Sequence, residues 1–298
     1  MNPASDFHTT PSRTVCLLIL GGMLFLGLCL ASLAGQAFAS LLSGNERAVL
    51  LAQSVLQALL GFILPSWLAF RLTGSRTPWK NLGACTGVSC TAIILAIMTL
   101  ILALPMLNEI INLNEGIRFP DSIDKTFRAW ENEAGRFTDT MLDTTSPGGL
   151  IAGIIIVGVL TGFAEEIFFR GALQKMLIGP GMSPQGGIWT AALVFSIMHF
   201  QPFGFIPRLL LGAFFGYLYL WSGSIWLSAT AHAINNSVVV LTTWLALREH
   251  NCYFIETWGT GDTLWLSFIS LIFTSGAIIL CLRFIRGRQI TLRYGKNN

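Results

Sequence analysis

Charge is scarce in this chain. Its 18 Lys and Arg and 15 Asp and Glu make up 11% of 298 residues, against about 25% in a soluble globular domain. Apolar residues reach 53% and mean hydropathy is +0.65. The organising problem is therefore a bilayer, not a water-shielded interior. The net charge of +3 is too small to argue for nucleic acid. No Lys/Arg stripe interleaved with aromatics supports that partner either. The six cysteines (Cys16, Cys29, Cys85, Cys90, Cys252 and Cys281) form no CxxC pair and no zinc-ribbon spacing. We read them as small hydrophobes, not a disulfide framework. There is no His-Glu-x-x-His, no internal repeat and no low-complexity tract.

What the chain does have is long apolar runs. A spanning helix needs about 20 mostly apolar residues. Candidate spans fall near 14–42, 49–71, 85–112, 149–178, 186–201, 205–222, 224–247 and 262–285. We expect an all-α fold, a polytopic membrane bundle of about eight transmembrane helices forming one integral membrane domain. The fifth and sixth runs are short and fit helices that are tilted or buried by neighbours. The first run follows Arg13 and precedes Ala37-Phe-Ala39, a cleavage-site look-alike. It is longer than a signal h-region, so a retained helix is expected.

Basic residues set the expected orientation. Eight spans put both termini on one side. That side collects Arg13, Arg71, Arg76, Lys80, Arg170, Lys175, Arg283, Arg286, Arg288, Arg293 and Lys296, 11 of the 18 basic residues. The tail from Arg283 to Lys296 has five positives and no acid. The expectation is a multi-pass cell-membrane protein with cytoplasmic termini. Residues 113–148 form the one long hydrophilic connection. Ile123, Phe127, Trp130, Phe137, Met141 and Leu142 recur there at near-helical spacing. This predicts an amphipathic helix at the outer interface; a solvated surface loop is the plainer alternative. The chain thus divides into N-terminal spans with this connection (1–148), a core (149–245), and a last span with a basic tail (246–298).

The core carries polar residues inside apolar runs, which read by default as a functional site. Glu165, Glu166 and Arg170 share the fourth run. Glu166 and Arg170, four apart, can pair on one helix face. Glu165 lies about 100° further round, without that partner. An unpaired carboxylate at low dielectric moves toward the range of a general base. The two glutamates could exchange these roles, or all three residues could form one structural ion network. His199 follows Phe195 on the fifth run. His232 and Asn236, four apart on the seventh, can both donate to one point, as an oxyanion hole requires. A polar packing contact is the alternative. Measured from the same inner side, Glu166 and His199 lie roughly 18 Å deep and His232 roughly 12 Å. Convergence is therefore allowed. Gly179 to Gly187 is turn-rich and folds the fourth and fifth runs into a hairpin. Gly212 and Gly216 form a GxxxG that permits close packing.

At these residues the chain resembles the CAAX-protease and bacteriocin-processing membrane proteins, also called Abi proteins. Their Glu-Glu-x-x-x-Arg motif is matched by Glu165, Glu166 and Arg170, with Gly171 following. Phe-x-x-x-His is matched by Phe195 and His199, and His-x-x-x-Asn by His232 and Asn236. The resemblance covers about residues 149–245. It implies an intramembrane endopeptidase with a helical core of about eight spans, acting on a peptide or protein substrate that is in some members lipidated. It also implies that Glu165 and His199 activate water. His232 and Asn236 would stabilise the oxyanion, with Glu166, Arg170 and Phe195 supporting. Resemblance to the family's glutamate-type members implies no cofactor. A zinc ion on Glu165, His199 and His232 is the alternative. We expected substrate to enter from the cytoplasmic side. Two other readings stay open: a non-proteolytic immunity or interaction protein, and a proton-coupled transporter using Glu165 and His199. The missing repeat symmetry weighs against the transporter.

Overall fold

The structure is a computed structural model that describes residues 11–42, 44–248 and 257–294. Cys252 and Lys296 lie outside the described residues. The described chain is helical, without a named strand. We number nine helices. They are α1 (Arg13–Leu41), α2 (Glu46–Leu72), α3 (Cys90–Glu115), α4 (Asp121–Leu142), α5 (Pro147–Leu177), α6 (Pro184–Ile197), α7 (Phe205–Ser222), α8 (Ile225–Leu247) and α9 (Leu264–Tyr294). The sixth predicted run (205–222) is α7, which follows directly on a short 3-10 turn at Pro202–Gly204.

Six of these are long and apolar enough to cross a membrane: α1, α2, α3, α5, α7 with its preceding turn, and α9. The two other predicted spans differ for separate reasons. α6 has only 14 residues, because the chain turns after Ile197. α8 has 23, but His232, Asn235 and Asn236 dilute its apolar character. The protein is a multi-pass membrane bundle. Large apolar side chains such as Phe25, Leu33, Phe268 and Ile272 point outward from α1 and α9, as a lipid-facing surface requires.

Local sequence explains the helix starts. Ser146 and Ser183 each precede a proline, and their hydroxyls accept from Gly149 N–H and Gly186 N–H at 3.0 Å. Proline at the first helical position loses no bond, since that N–H has no intrahelical partner. Gly223, at φ +65°, ends α7 in the left-handed conformation and lets α8 begin two residues later. Two stretches of α5, Ile154–Thr161 and Ile167–Gln174, have wider π-type hydrogen bonding. Such stretches recur at functional sites, and Glu165 and Glu166 sit between these two.

The proline inside α3 is repaired by another helix. Ser267 and Ser270 on α9 donate to the carbonyls of Pro105 (2.7 Å) and Leu102 (2.5 Å), and Met106 N–H donates to Ser270 Oγ at 3.2 Å. A kink in hydrocarbon is tolerated when a neighbour satisfies the freed backbone.

The first and last described helices, α1 and α9, put the start of α1 and the end of α9 at one end of the bundle. Arg13 donates to the Leu177 carbonyl at 3.0 Å, at the end of α5. Cys281 and Ile285 of α9 pack with Ala92 at the start of α3. Lys175 reaches the Asn81 carbonyl at this same end. The 113–148 connection lies at the opposite end. Its predicted amphipathic helix is α4, and it is docked onto the bundle instead of merely resting on an interface. Glu131 accepts from Gln201 Nε2 (3.1 Å) and Phe203 N–H (3.2 Å). Arg47 ties the far end of α4 to α5 through the Met141 and Gly149 carbonyls.

Gly27 shows how closely α1 and α2 approach. A Cβ there would collide with the Leu60 carbonyl, whereas Gly21 on the same helix faces open space. Gly27→Ala is expected to lose about 1–3 kcal/mol by overpacking. Gly21→Ala is expected to be neutral or slightly stabilising. Thermal unfolding in detergent checks this; equal midpoints for the two variants would contradict the close packing.

Candidate active site

Helix α5 runs through the middle of the bundle, and its stretch 166–172 is buried on all sides. Ala164, Ile167, Phe168, Phe169 and Ala172 are each 3% exposed or less. Two charges sit among them. Glu166 is 0% and Arg170 1% exposed. Their spacing of four brings Arg170 Nη1 to 2.7 Å from Glu166 Oε1, the pairing that the sequence predicted. Arg170 also donates through Nη2 to the Gly212 carbonyl at 2.8 Å. Its guanidinium carbon lies 4.7 Å from the Phe195 ring centre and 5.6 Å from that of Phe215. Carboxylate, carbonyl and ring faces together stabilise a cation that lipid alone could not hold.

Glu166 has a second partner that sequence reasoning missed. His232 Nδ1 lies 2.9 Å from the same Oε1. An ionised carboxylate only accepts, so the proton sits on His232 Nδ1. Glu166 is therefore more than a counter-ion: it orients the imidazole, as a third group does in catalytic triads. The ring stacks on Phe215 at 4.8 Å and 17° and meets Phe195 edge-on at 5.7 Å.

His232 Nε2 points back to Glu165, 3.7 Å from Oε2. That is too long for a hydrogen bond and suits a bridging water. Unlike Glu166, the Glu165 side chain keeps 12% exposure and faces a cavity of about 560 Å³. His199 and Asn236 line the same cavity. The structure thus brings Glu165, His199, His232 and Asn236 to one space, with Glu166 and Arg170 behind them and Phe195 against both histidines.

His199 was expected inside a helical span. It lies two residues past the end of α6 instead. Phe200 takes φ +53° and Pro202 follows, so the helix cannot continue. The His199 Nδ1 lies 2.7 Å from the Phe195 carbonyl. A carbonyl accepts, so Nδ1 carries the proton and Nε2 keeps the lone pair. Asn114 fixes this turn from α3. Its Nδ2 donates to the Pro202 carbonyl at 3.0 Å, and its Oδ1 accepts from Ile206 N–H at 2.7 Å.

The glycines of α7 were read as packing alone. They also supply acceptors. Gly212 receives Arg170, and Gly216 receives Gln174 Nε2 at 3.0 Å. Gln174, Phe215, Gln201 and Glu131 were not singled out from the sequence. Gln174 was within reach, because 170/174 and 212/216 repeat the same spacing of four.

Among the described residues no three His, Cys, Asp or Glu side chains form a group placed to hold a metal. Glu166 and the Phe195 carbonyl engage the Nδ1 atoms of His232 and His199 and so orient both rings. The cavity also runs away from the termini. Ser54, Gln57, Phe137, Thr138, Met141, Val239 and Val240 line it toward the end covered by α4. With cytoplasmic termini, as the basic residues lead us to expect, this part of the cavity would lie toward the other side of the membrane. The five described cysteines (Cys16, Cys29, Cys85, Cys90 and Cys281) are free.

Arg170→Ala would leave Glu166 buried with His232 alone. Such a change is expected to destabilise by about 3–5 kcal/mol, read as low yield and a lowered thermal midpoint. Normal yield with full function would disprove the ion-pair assignment.

Residues 147–238 match the family described as type II CAAX prenyl endopeptidase Rce1-like. All seven motif residues fall in that range. A protein of Bacillus subtilis (strain 168) named "Uncharacterized protein YpbD" is 35% identical over 92 residues, 30% of this chain. The matched part spans 44% of that relative's length. No solved structure matches the chain significantly.

Proposed function

We propose that this membrane protein, whose residues 147–238 carry an Rce1-like core, hydrolyses peptide bonds within the bilayer by glutamate- and histidine-activated water. The observation that carries this reading is the graded environment of the two adjacent carboxylates. Glu166 is sealed and bonded to Arg170 and His232, whereas Glu165 faces the cavity beside two imidazoles. Environment separates the roles of paired carboxylates in many hydrolases.

Glu165 takes a proton from water, assisted by the His199 lone pair on Nε2. The water attacks the scissile carbonyl. Asn236 donates through its amide to the developing oxyanion. His232, whose ring Glu166 orients from behind, presents Nε2 to the same space. The proton then passes to the leaving amine. Water activation here uses only the chain's own side chains. The substrate is a peptide or protein segment in the membrane, and lipidated tails belong among the candidates.

Glu165→Gln is expected to lower peptide cleavage by about 10²–10⁴-fold, and Asn236→Ala by about 10²-fold or more. Cleavage by purified protein in detergent, with and without a chelator, checks both. Unchanged turnover in Glu165→Gln would overturn the assignment. Loss to chelator with recovery on adding zinc would overturn the metal-free reading. Cleavage of no peptide, together with a cellular phenotype that survives Glu165→Gln, would favour the interaction role.

We also infer cytoplasmic termini. Arg13, Arg71, Arg76, Lys80, Lys175, Arg283 and Arg286 gather at that end of the bundle, and positive loops stay inside. The cavity then faces away from the cytoplasm, beneath α4. Lys80 and Lys125 are exposed at opposite ends. In a background without native cysteines, an impermeant maleimide applied to intact cells is expected to label Lys125→Cys and spare Lys80→Cys. The reverse pattern would invert the topology.

A further inference from the structure

The turn that follows α6 is strained next to His199. Phe200 takes φ +53°, a left-handed backbone that a bulky side chain does not hold unaided. Such a conformation persists where its surroundings over-determine it, and it recurs at functional sites. Here four side chains supply the hold. Ser196 Oγ donates to the Phe205 carbonyl at 2.7 Å, and Asn114 bonds Pro202 and Ile206. Arg208 donates through Nη2 to Gln201 Oε1 at 2.8 Å and through Nη1 to the Gln201 carbonyl at 3.4 Å. Glu131 accepts from Gln201 Nε2 at 3.1 Å and from Phe203 N–H at 3.2 Å.

Ser196, Asn114 and Arg208 stand on α6, α3 and α7. Of the four, Glu131 alone stands on α4, the amphipathic helix that covers the cavity with Phe137, Thr138 and Met141. Gln201 couples the two sides. Its amide accepts from a guanidinium at one end and donates to a carboxylate at the other, so its neighbours fix its orientation. The charges of Glu131 and Glu165 both act on Arg208, and Gln201 is the neutral link between Glu131 and that guanidinium. Trp130, beside Glu131, meets Phe200 edge-on at 5.8 Å. One helix therefore roofs the cavity and grips the two residues that follow His199.

We propose that Glu131 is a positioning residue for His199, and that docking of α4 over the cavity completes the water-activating pair of Glu165 and His199. This assignment rests on the hydrolase reading above. Glu131 acts through Gln201 and the Phe203 N–H and takes no part in bond making. With α4 lifted, both bonds and the Trp130–Phe200 contact are lost, and the left-handed turn is left with three of its four holds. His199 then leaves the geometry in which Nδ1 meets the Phe195 carbonyl. Closure over a bound peptide and assembly of the site become one step, as in enzymes whose lids complete the catalytic set.

The two linked side chains can be exchanged without losing a bond. In Glu131→Gln, one amide oxygen replaces two carboxylate oxygens, so one of the two donors loses its acceptor. In Gln201→Glu, two carboxylates meet and repel. Glu131→Gln combined with Gln201→Glu restores the pattern. The amide on α4 then donates to the carboxylate, which also accepts from Arg208, and the amide oxygen stays free for Phe203 N–H. Each single substitution is expected to lower kcat by about 10- to 100-fold. KM changes little, because the lost interaction matters only in the transition state. The exchanged pair is expected to recover most of kcat. Unchanged kcat in well-folded Glu131→Gln, a loss confined to KM, or no recovery in the exchanged pair each overturns the proposal.

A spectroscopic reading needs no turnover. The chain has four histidines, and nitrogen NMR of labelled rings separates a protonated nitrogen from one with a lone pair. His199→Gln identifies the signal. The wild type is expected to show His199 in the single Nδ1–H form, Glu131→Gln a mixture of both tautomers, and the exchanged pair the single form again. That pattern in a protein that cleaves no peptide would sink the hydrolase reading and leave the positioning role standing. An unaltered His199 signal in Glu131→Gln overturns the role whatever the turnover. Should Glu131→Gln not fold, Trp130→Ala replaces it, because it loosens α4 from Phe200 without breaking a polar bond. An unaltered His199 signal there overturns the proposal instead.

Discussion

One carboxylate oxygen, Glu166 Oε1, holds Arg170 on one side and His232 on the other. It sits where a lone charge would cost several kcal/mol, so its two partners are conditions of folding as much as of chemistry. Through Arg170 it connects to α7, and through His232 to α8. Phe195 and Phe215 close the space between these groups with ring faces. Two helices, α5 and α8, thus meet at one atom, and α7 joins them through the other arm of Arg170.

A second, looser layer covers this centre. Asn114 pins the turn that carries His199, and Glu131 of α4 holds the same turn from the opposite side. Rings reinforce the contact: Trp130 meets Phe200 at 5.8 Å, and Phe119 meets Phe203 at 6.0 Å. Polar groups can hold α4 in place here because Glu131 and Gln201 are only half-buried. Buried ion pairs do the equivalent work one layer deeper.

The helical bundle was legible from apolar run length, and the Glu166–Arg170 pair from a spacing of four. α6 was misjudged, because its apolar run continues to Phe200 while its helix stops at Ile197. Only the backbone at Phe200 reveals the turn, and no residue-type pattern marks a non-glycine left-handed position. The second role of Glu166 was hidden for another reason. Its partner His232 is 66 positions away, and helix periodicity says nothing about contacts between helices. Glu131 was visible only as one acid among many on the polar face of α4. Gln174 was the avoidable omission, since its spacing mirrors that of the two glycines it serves.

Those glycines make α5 and α7 a single mechanical part. Arg170 and Gln174, one turn apart, grip carbonyls that are also one turn apart. Two such pins forbid sliding, where one would permit it. A Cβ on Gly216 would press on Gln174 Oε1 at 2.7 Å and on Ile188 at 3.0 Å, so the helices stay at bare-backbone distance. Phe215 lies between the pins, and its ring is the floor on which His232 rests. A bulky guest in the cavity therefore meets an unyielding wall on the α7 side. The face built by α4 is held differently, by half-buried polar contacts and ring edges and not by pins to bare backbone.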